Sequence, residues 1–275
     1  MSSTREMQTF SASDGVKLRY VVDDFSDPWK PKQTLFLLHA AMGSSKRMYA
    51  WVPHLARHFR VVRPDTRGHG QSEVPGVQQL SLDRLARDVV ELADHLGCPG
   101  FHVAGSSAGA IVAMQVAIGY PGRVLTLGNF ASTPGLKNSQ INTDNWVAHI
   151  RRSTLEGFLR ETISDRFAAG TDPGFMEWFI TEAAKTDQEL FCRFAPMMKQ
   201  VDLTAELHKI SCPMLVVVPD HDPLGTIEQY RVIPQQVKNC EFVVYSGLPH
   251  NITDAVPDRC AEELKRFLLK HTPAD

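Results

Sequence analysis

Short apolar runs recur along the chain between polar turns, which is the pattern of buried β-strands. The runs lie at residues 8–10, 17–22, 34–38, 60–63, 101–104, 124–129, 214–218 and 241–245. The first two flank Asp14-Gly15, a dipeptide typical of two-residue hairpin turns. We therefore expect the sheet to begin with an antiparallel pair of strands.

Apolar residues at helical spacing fill most of the intervals between the later runs. These helical patterns lie at residues 48–58, 81–96, 108–118, 227–235 and 258–270. Strands that alternate with helices predict an α/β fold, with a mainly parallel sheet of the eight-stranded type and helices on both of its faces.

The alternation stops near residue 132, where four helical patterns follow one another without an intervening strand. They lie at residues 146–152, 155–167, 173–185 and 188–200. A Pro-Gly pair before them and a Ser-Cys-Pro sequence after them are turn signals. We therefore expect a core of residues 1–132 and 211–275, with residues 133–210 inserted as a helical cap over the carboxyl end of the sheet.

The composition narrows the classes of partner. With 275 residues, 43 % hydrophobic and 22 % charged, the chain can bury one globular core that carries an insertion. A net charge of -2 without long Lys/Arg runs argues against nucleic acid and membrane as partners, so we expect a small-molecule substrate. The cysteines are scattered, and neither C-x-x-C nor H-E-x-x-H occurs, so we expect reduced thiols, no metal and no cofactor.

Residues 1–13 are polar and lack the apolar stretch of a secretory signal. No span of the sequence reaches the apolar length of a membrane helix either. We therefore expect a cytoplasmic protein that acts as a monomer or a homodimer.

The strongest chemical signal is the pentapeptide Gly105-Ser106-Ser107-Ala108-Gly109, which has the form G-x-S-x-G. It follows a predicted strand and precedes a predicted helix, which is the context of a nucleophile elbow. Such a turn lifts one hydroxyl clear of the sheet and needs small residues on either side. The glycine spacing selects Ser107 as the nucleophile and leaves Ser106 as the neighbouring alternative.

With this elbow the chain resembles the α/β-hydrolase superfamily, and within it the capped subfamily of 3-oxoadipate enol-lactonases and related small esterases. The other supports are His39-Ala40-Ala41, the segment RPDTRGHGQS at residues 63–72, Pro223-Leu224 beside an acid, and a late histidine. The resemblance implies hydrolysis of a carboxylic ester or lactone through an acyl-enzyme. Relatives of this fold also hydrolyse carbon–carbon bonds of ring-cleavage products, perform cofactor-free oxygen chemistry or act as receptors, and these alternatives stay open.

The superfamily order of serine, acid and histidine implies Ser107, Asp222 and His250 as a catalytic triad. Asp222 is favoured over Asp220 because the family's acid stands three residues after a glycine whose place Pro219 takes. His250 occupies the loop after the last predicted strand, where the family carries its base. The imidazole would take the serine proton, and the carboxylate would stabilise the resulting imidazolium.

Negative charge that develops on the carbonyl oxygen of a substrate needs N–H donors that are already in place. The resemblance implies two backbone amides for this oxyanion hole, those of Ala41 and Ala108. His39 and His69 are expected to form hydrogen bonds or to pack, rather than to take part in catalysis.

The predicted cap is rich in aromatic residues, methionines and arginines, so its underside is expected to roof a largely apolar pocket. An arginine there could pair bidentately with a carboxylate of the substrate. The candidates for substrate binding in the cap are Trp146, Arg151, Arg166, Trp178 and Phe179.

Overall fold

Eight strands form one sheet in the computed structural model, which describes residues 6–272. Residues 1–5 of the polar amino-terminal segment and residues 273–275 of the predicted core unit lie outside the described residues. The strands are β1 (Gln8–Ser11), β2 (Lys17–Asp23), β3 (Thr34–Leu38), β4 (Arg60–Pro64), β5 (Phe101–Ser106), β6 (Val124–Phe130), β7 (Met214–Pro219) and β8 (Cys240–Tyr245).

Across the sheet the strands lie in the order β1-β2-β4-β3-β5-β6-β7-β8. The β1–β2 and β2–β4 pairs are antiparallel and the remaining pairs are parallel, which confirms the predicted fold class. Gly15 forms the predicted turn between β1 and β2 with a φ of 86°. Strands β3, β5 and β7 are buried along their whole length, so their sequences form continuous apolar runs.

Ten α-helices accompany the sheet within residues 6–272. They are α1 (Val52–Leu55), α2 (Leu82–His95), α3 (Ala108–Gly119), α4 (Thr143–Arg152), α5 (Leu155–Glu161), α6 (Pro173–Ala183), α7 (Gln188–Lys199), α8 (Ile227–Gln236), α9 (Ile252–Ala255) and α10 (Pro257–His271). Apolar side chains of α2, α3 and α8 pack on one face of the sheet, and those of α1 and α10 pack on the other. Among these helices, none is long and apolar enough to cross a bilayer.

Two predicted helices are shorter in the structure than their apolar patterns indicate. The pattern at 48–58 becomes a 3₁₀ helix, Ser45–Trp51, followed by one turn of α-helix, in whose first turn Pro53 has no N–H to donate back to the 3₁₀ segment. The pattern at 155–167 ends as an α-helix at Glu161. There the Thr162 N–H and hydroxyl both donate to the Phe158 carbonyl oxygen, at 3.1 and 2.8 Å, and the chain continues as a 3₁₀ turn, Ile163–Asp165.

Helices α4 to α7 follow one another between β6 and β7, in the segment 133–210 that we call the cap segment. Each of them starts at a side chain that accepts a hydrogen bond from a first-turn amide; the four capping residues are Asn142, Thr154, Asp172 and Asp187. Their apolar faces form a hydrophobic cluster of their own, which Met42 of the core joins. The cap segment thus has local stop and start signals and its own buried centre.

Candidate active site

Ser107 stands at the sharp turn where β5 ends and α3 begins. Its backbone has φ 51° and ψ -118°, a strained conformation for a residue with a side chain, and its N–H donates to the Phe130 carbonyl oxygen at 2.9 Å. A Cβ at Gly105 would lie 2.3 Å from the backbone of Gly109, and one at Gly109 would lie 2.4 Å from the Leu38 carbonyl oxygen. The two glycines are therefore required by close packing of backbone against backbone.

The predicted serine, histidine and acid meet at the carboxyl end of the sheet. His250 Nε2 lies 2.9 Å from Ser107 Oγ, and His250 Nδ1 lies 2.8 Å from Asp222 Oδ2. Asp222 follows β7 and His250 follows β8, and parallel strands deliver their following loops to the same edge. The three side chains form one hydrogen-bonded chain, with the carboxylate buried.

The two competing residues have other partners. Asp220 accepts a hydrogen bond from the Gly247 backbone N–H at 2.7 Å. Ser106 Oγ lies 2.8 Å from the Thr253 hydroxyl oxygen. The hydrogen-bonded chain through His250 therefore contains Asp222 and Ser107, and not Asp220 or Ser106.

Three groups donate hydrogen bonds to the Asp222 carboxylate. The Leu224 backbone N–H donates to Oδ1 at 2.8 Å, and His250 and the Tyr230 hydroxyl both donate to Oδ2. Burial by itself would raise the pKa of Asp222, but the imidazole of His250 and these donors hold that pKa below its ordinary value. The carboxylate therefore stays charged where it faces the imidazole.

Tyr230 was not among the residues that the sequence indicated. It lies on α8 with 1 % of its surface exposed, and burial together with the neighbouring Asp222 carboxylate raises its pKa well above the usual value. The phenol therefore stays protonated at neutral pH and donates a hydrogen bond to the Asp222 carboxylate. The sequence feature that could have indicated Tyr230 is its position eight residues after Asp222, on the buried face of a predicted helix. Many core tyrosines share that feature, so it does not single out this residue.

Ala41 and Ala108, whose backbone amides the resemblance assigned to the oxyanion hole, border the cavity that contains Ser107. Neither amide donates a hydrogen bond to any residue of the described range 6–272. The loop that carries Ala41 is held by His39, whose Nδ1 donates to the Ala40 carbonyl oxygen at 2.8 Å and whose Nε2 accepts from the Thr66 N–H at 3.0 Å. Burial lowers the pKa of His39 to about 4, so this anchor is a neutral imidazole.

Two cavities meet beside His250. The inner cavity contains Ser107 and Ala108 and is otherwise lined mainly by apolar side chains of the core loops and cap segment. The outer cavity is more polar, with Gln140, Asn142 and Thr162 among its lining residues. The residues that border both are Ile141, Trp146, Arg166, Leu224 and His250.

Three of the five cap candidates, Trp146, Arg166 and Phe179, border the inner cavity. Arg151 does not, because it is exposed and pairs with Glu189 at 3.5 Å. Trp178 does not either, because it directly precedes Phe179 on α6 and successive helical residues point about 100° apart. Its ring packs against Tyr49 in a groove on the outer surface.

Two lining residues of the inner cavity, Arg47 and Asn251, come from core loops and were not predicted from the sequence. Arg47 forms a buried bidentate ion pair with Asp254 and stacks over the ring of Phe179 in the cap segment, 4.3 Å from its centroid. No group of three or more His, Cys, Asp or Glu side chains in the described residues is arranged to hold a metal ion.

Comparison with known proteins places this architecture in a family. Residues 35–263 match the model of the alpha/beta hydrolase family. The 3-oxoadipate enol-lactonase 2 of Acinetobacter baylyi is 24 % identical over 251 residues, which are 88 % of this chain and 89 % of that protein.

Two solved structures have the same fold. A hydrolase from Pseudomonas aeruginosa superposes with a TM-score of 0.86 at 25 % identity, covering 98 % of this chain and 99 % of its own. The enol-lactonase from Burkholderia xenovorans also reaches 0.86, at 22 % identity, covering 95 % of this chain and 100 % of its own. The chain belongs to the alpha/beta hydrolase family and is a hydrolase.

Proposed function

We propose that this hydrolase cleaves a carboxylic ester or lactone of a small molecule, with Ser107 as the nucleophile and an acyl-enzyme as the intermediate. The observation that carries the proposal is the hydrogen-bonded chain from Ser107 through His250 to Asp222. It lies beside a cavity lined by Ala41 and Ala108, whose backbone amides donate no hydrogen bond within the described residues. The similarity to enol-lactonases supports the choice of ester and lactone bonds.

In the acylation half-reaction, His250 Nε2 takes the proton of Ser107 as the hydroxyl oxygen attacks the substrate carbonyl carbon. The carbonyl oxygen becomes an oxyanion, which the N–H groups of Ala41 and Ala108 stabilise. The imidazolium then returns the proton to the leaving oxygen. An ester loses its alcohol at this step, whereas a lactone opens and keeps the new hydroxyl on the acyl group.

In the deacylation half-reaction, water takes the place of the serine hydroxyl. His250 removes a proton from the water as its oxygen attacks the acyl carbon, and the same proton then returns to Ser107 Oγ when the acid leaves. Asp222 keeps the imidazole oriented and balances its positive charge in both halves. No cofactor enters either half-reaction.

The test compares the wild type with Ser107→Ala on short-chain p-nitrophenyl esters and on a panel of lactones followed by titration of released acid. We expect Ser107→Ala to lower kcat by about 10³-fold or more, because loss of the nucleophile removes the acyl-enzyme route. Mass spectrometry of rapidly quenched wild-type protein should find the acyl group on Ser107.

The matched control is Ser106→Ala, which makes the same chemical change one residue away. Because Ser106 Oγ bonds to Thr253 and not to His250, this variant should keep most of the activity. Equal hydrolysis by the wild type and Ser107→Ala would refute the proposal. So would turnover confined to vinylogous diketones, or oxygen uptake with such substrates, since these reactions belong to other chemistries of the fold.

A further inference from the structure

The two cavities that meet beside His250 differ in size. The inner cavity, which contains Ser107, has a volume of about 60 Å³, and the outer cavity has a volume of about 250 Å³. An apolar cavity of about 150 Å³ in a protein core holds one benzene molecule. The inner cavity is therefore too small for a phenyl ring, whereas the outer cavity has room for one.

The two cavities also differ in their access to water. Within the described part of the chain, every residue that lines the inner cavity is buried or half-buried. The lining of the outer cavity includes four exposed residues, which are Gln140, Asn142, Asp165 and Pro223. The outer cavity is therefore the route between the inner cavity and the solvent.

The catalytic groups determine which side of an ester faces which cavity. Ser107, Ala41 and Ala108 border only the inner cavity, whereas His250 borders both. The carbonyl carbon of a bound ester lies against Ser107 Oγ, and its leaving oxygen must come close to His250 Nε2 to receive a proton. Beyond the leaving oxygen, on the far side of the imidazole, lies the outer cavity.

The order of product release favours the same orientation. The alcohol leaves while the acyl group is still bound to Ser107 Oγ, and water must then reach the acyl carbon beside His250. An alcohol in the inner cavity would be enclosed behind the acyl group, because no exposed residue of the described chain lines that cavity. An alcohol in the outer cavity can leave directly, and water can take its place.

We infer that the inner cavity binds the acyl group and the outer cavity binds the leaving group, so that the enzyme selects esters of a short apolar acid with a larger alcohol. The inference rests on the proposed function and narrows its substrate class. In a lactone, the larger substituent belongs on the carbon that bears the ring oxygen. Phe194, Ala195 and Met198 of α7 border the inner cavity and not the outer one, so they limit the length of the acyl group.

The experiment compares two isomeric esters that carry the same phenyl ring on opposite sides of the ester group, benzyl acetate and methyl phenylacetate. Each kcat/KM, measured by pH-stat titration, is divided by the rate constant for hydrolysis of the same ester by hydroxide, which corrects for intrinsic reactivity. We expect the wild type to prefer benzyl acetate by about 10- to 100-fold, because the phenylacetyl group is larger than the inner cavity.

Met198→Ala tests whether the wall of the inner cavity limits the acyl group. Met198 is 1 % exposed, and truncation of its side chain enlarges the inner cavity alone, so the preference for benzyl acetate should fall by about tenfold. Both esters are measured on one protein sample, so their ratio does not depend on the folded fraction. The matched control is Met48→Ala, which truncates a buried methionine that borders neither cavity and should keep the preference.

The outcomes separate this inference from the proposed function. Equal corrected rates for the two isomers, or a preference for methyl phenylacetate, would overturn the assignment of the two cavities and leave the proposed function standing. An unchanged ratio in Met198→Ala would overturn the assignment as well. Failure of the wild type to hydrolyse these isomers and every other ester or lactone would refute the proposed function, and this inference with it.

Discussion

The elbow at Ser107 and the part of the cap segment that borders the same cavity, which we call the cap wall, differ in what holds their residues in place. At the elbow, backbone packs against backbone so closely that a single added Cβ has no room. In the cap wall, Arg166 and Trp146 are held by side-chain packing on Phe158, and Arg166 keeps an unsatisfied donor. A scaffold of this kind can keep its bond-breaking geometry while the opposite wall changes to suit another substrate.

The largest expected effect comes from adding one carbon at the elbow. Gly109→Ala would place its Cβ 2.4 Å and 2.5 Å from the carbonyl oxygens of Leu38 and His39, and backbone atoms cannot move aside as a flexible side chain can. We expect a loss of more than about 4 kcal/mol in the free energy of unfolding, measured with urea.

The matched change in the cap segment is Gly157→Ala, inside α5. The nearest atom to its new Cβ is the Ser153 hydroxyl oxygen at 3.3 Å, which can move. Alanine is the better helix former, so we expect the variant to be as stable as the wild type or more so, by up to about 1 kcal/mol. If the two variants lost equal stability, the contrast between a tightly packed elbow and a tolerant cap would be wrong.

The next effect concerns the buried ion pair of Arg47 with Asp254, whose guanidinium also stacks on Phe179 of the cap segment. Arg47→Met leaves the buried Asp254 carboxylate without its partner and removes the contact with Phe179. The free energy of unfolding should therefore fall by about 3 to 5 kcal/mol. Arg160→Met breaks an exposed pair with Glu177 on the cap surface and should change stability little. Urea titration of both variants gives the comparison, and an equal effect would contradict it.

Acidification should lower the free energy of unfolding, because the fold buries neutral histidines. Burial lowers the pKa of His102 in β5 from 6.5 to about 4, so between these values the unfolded chain binds more protons than the folded one. Stability contributed by the neutral imidazole is complete above the unfolded pKa and declines as the pH falls, by about 2 kcal/mol for His102 between about pH 8 and pH 5.

The measurement is urea unfolding of the wild type and His102→Gln at several pH values. The glutamine variant starts from its own stability at high pH, but its decline on acidification should be smaller because position 102 no longer titrates. Parallel declines in the two proteins would show that the acid sensitivity lies elsewhere, for example at His69, whose pKa burial lowers to about 3.

The smallest expected effect tests Tyr230 as a positioning residue for Asp222. Tyr230→Phe removes a hydrogen bond to a buried carboxylate, so kcat should fall about tenfold with little change in KM. The carboxylate, with one donor fewer, stabilises the imidazolium more strongly, so the acid limb of the kcat/KM profile should move to higher pH. Tyr245→Phe, which breaks a buried hydroxyl contact with the Arg259 carbonyl oxygen, should leave that profile in place.

Local pattern was sufficient for the scaffold and for the turn on which Ser107 stands. The run at 34–38 is β3 residue for residue, because a strand buried on both faces is marked by its own apolar residues. Ser107 was found because the elbow needs glycines at set positions beside it. The helix predicted at 48–58 was wrong in type over its first part, which is a 3₁₀ helix that ends before Pro53.

Tertiary structure decided which of several suitable residues act together. Asp220 and Asp222 are both plausible acids by sequence, and only the approach of His250 to one of them separates the two. The same holds for Arg151 and Arg166, one in water and the other bordering the cavity.

The sequence by itself therefore determined the order of strands and helices along the chain and the turn that carries Ser107, because these depend on neighbours within a few positions. The partners of Asp222, the wall that faces Ser107 and the unsatisfied donor of Arg166 were decided by the fold. They depend on contacts between segments far apart in the chain, where charge and burial are set by whichever side chains the packing brings together.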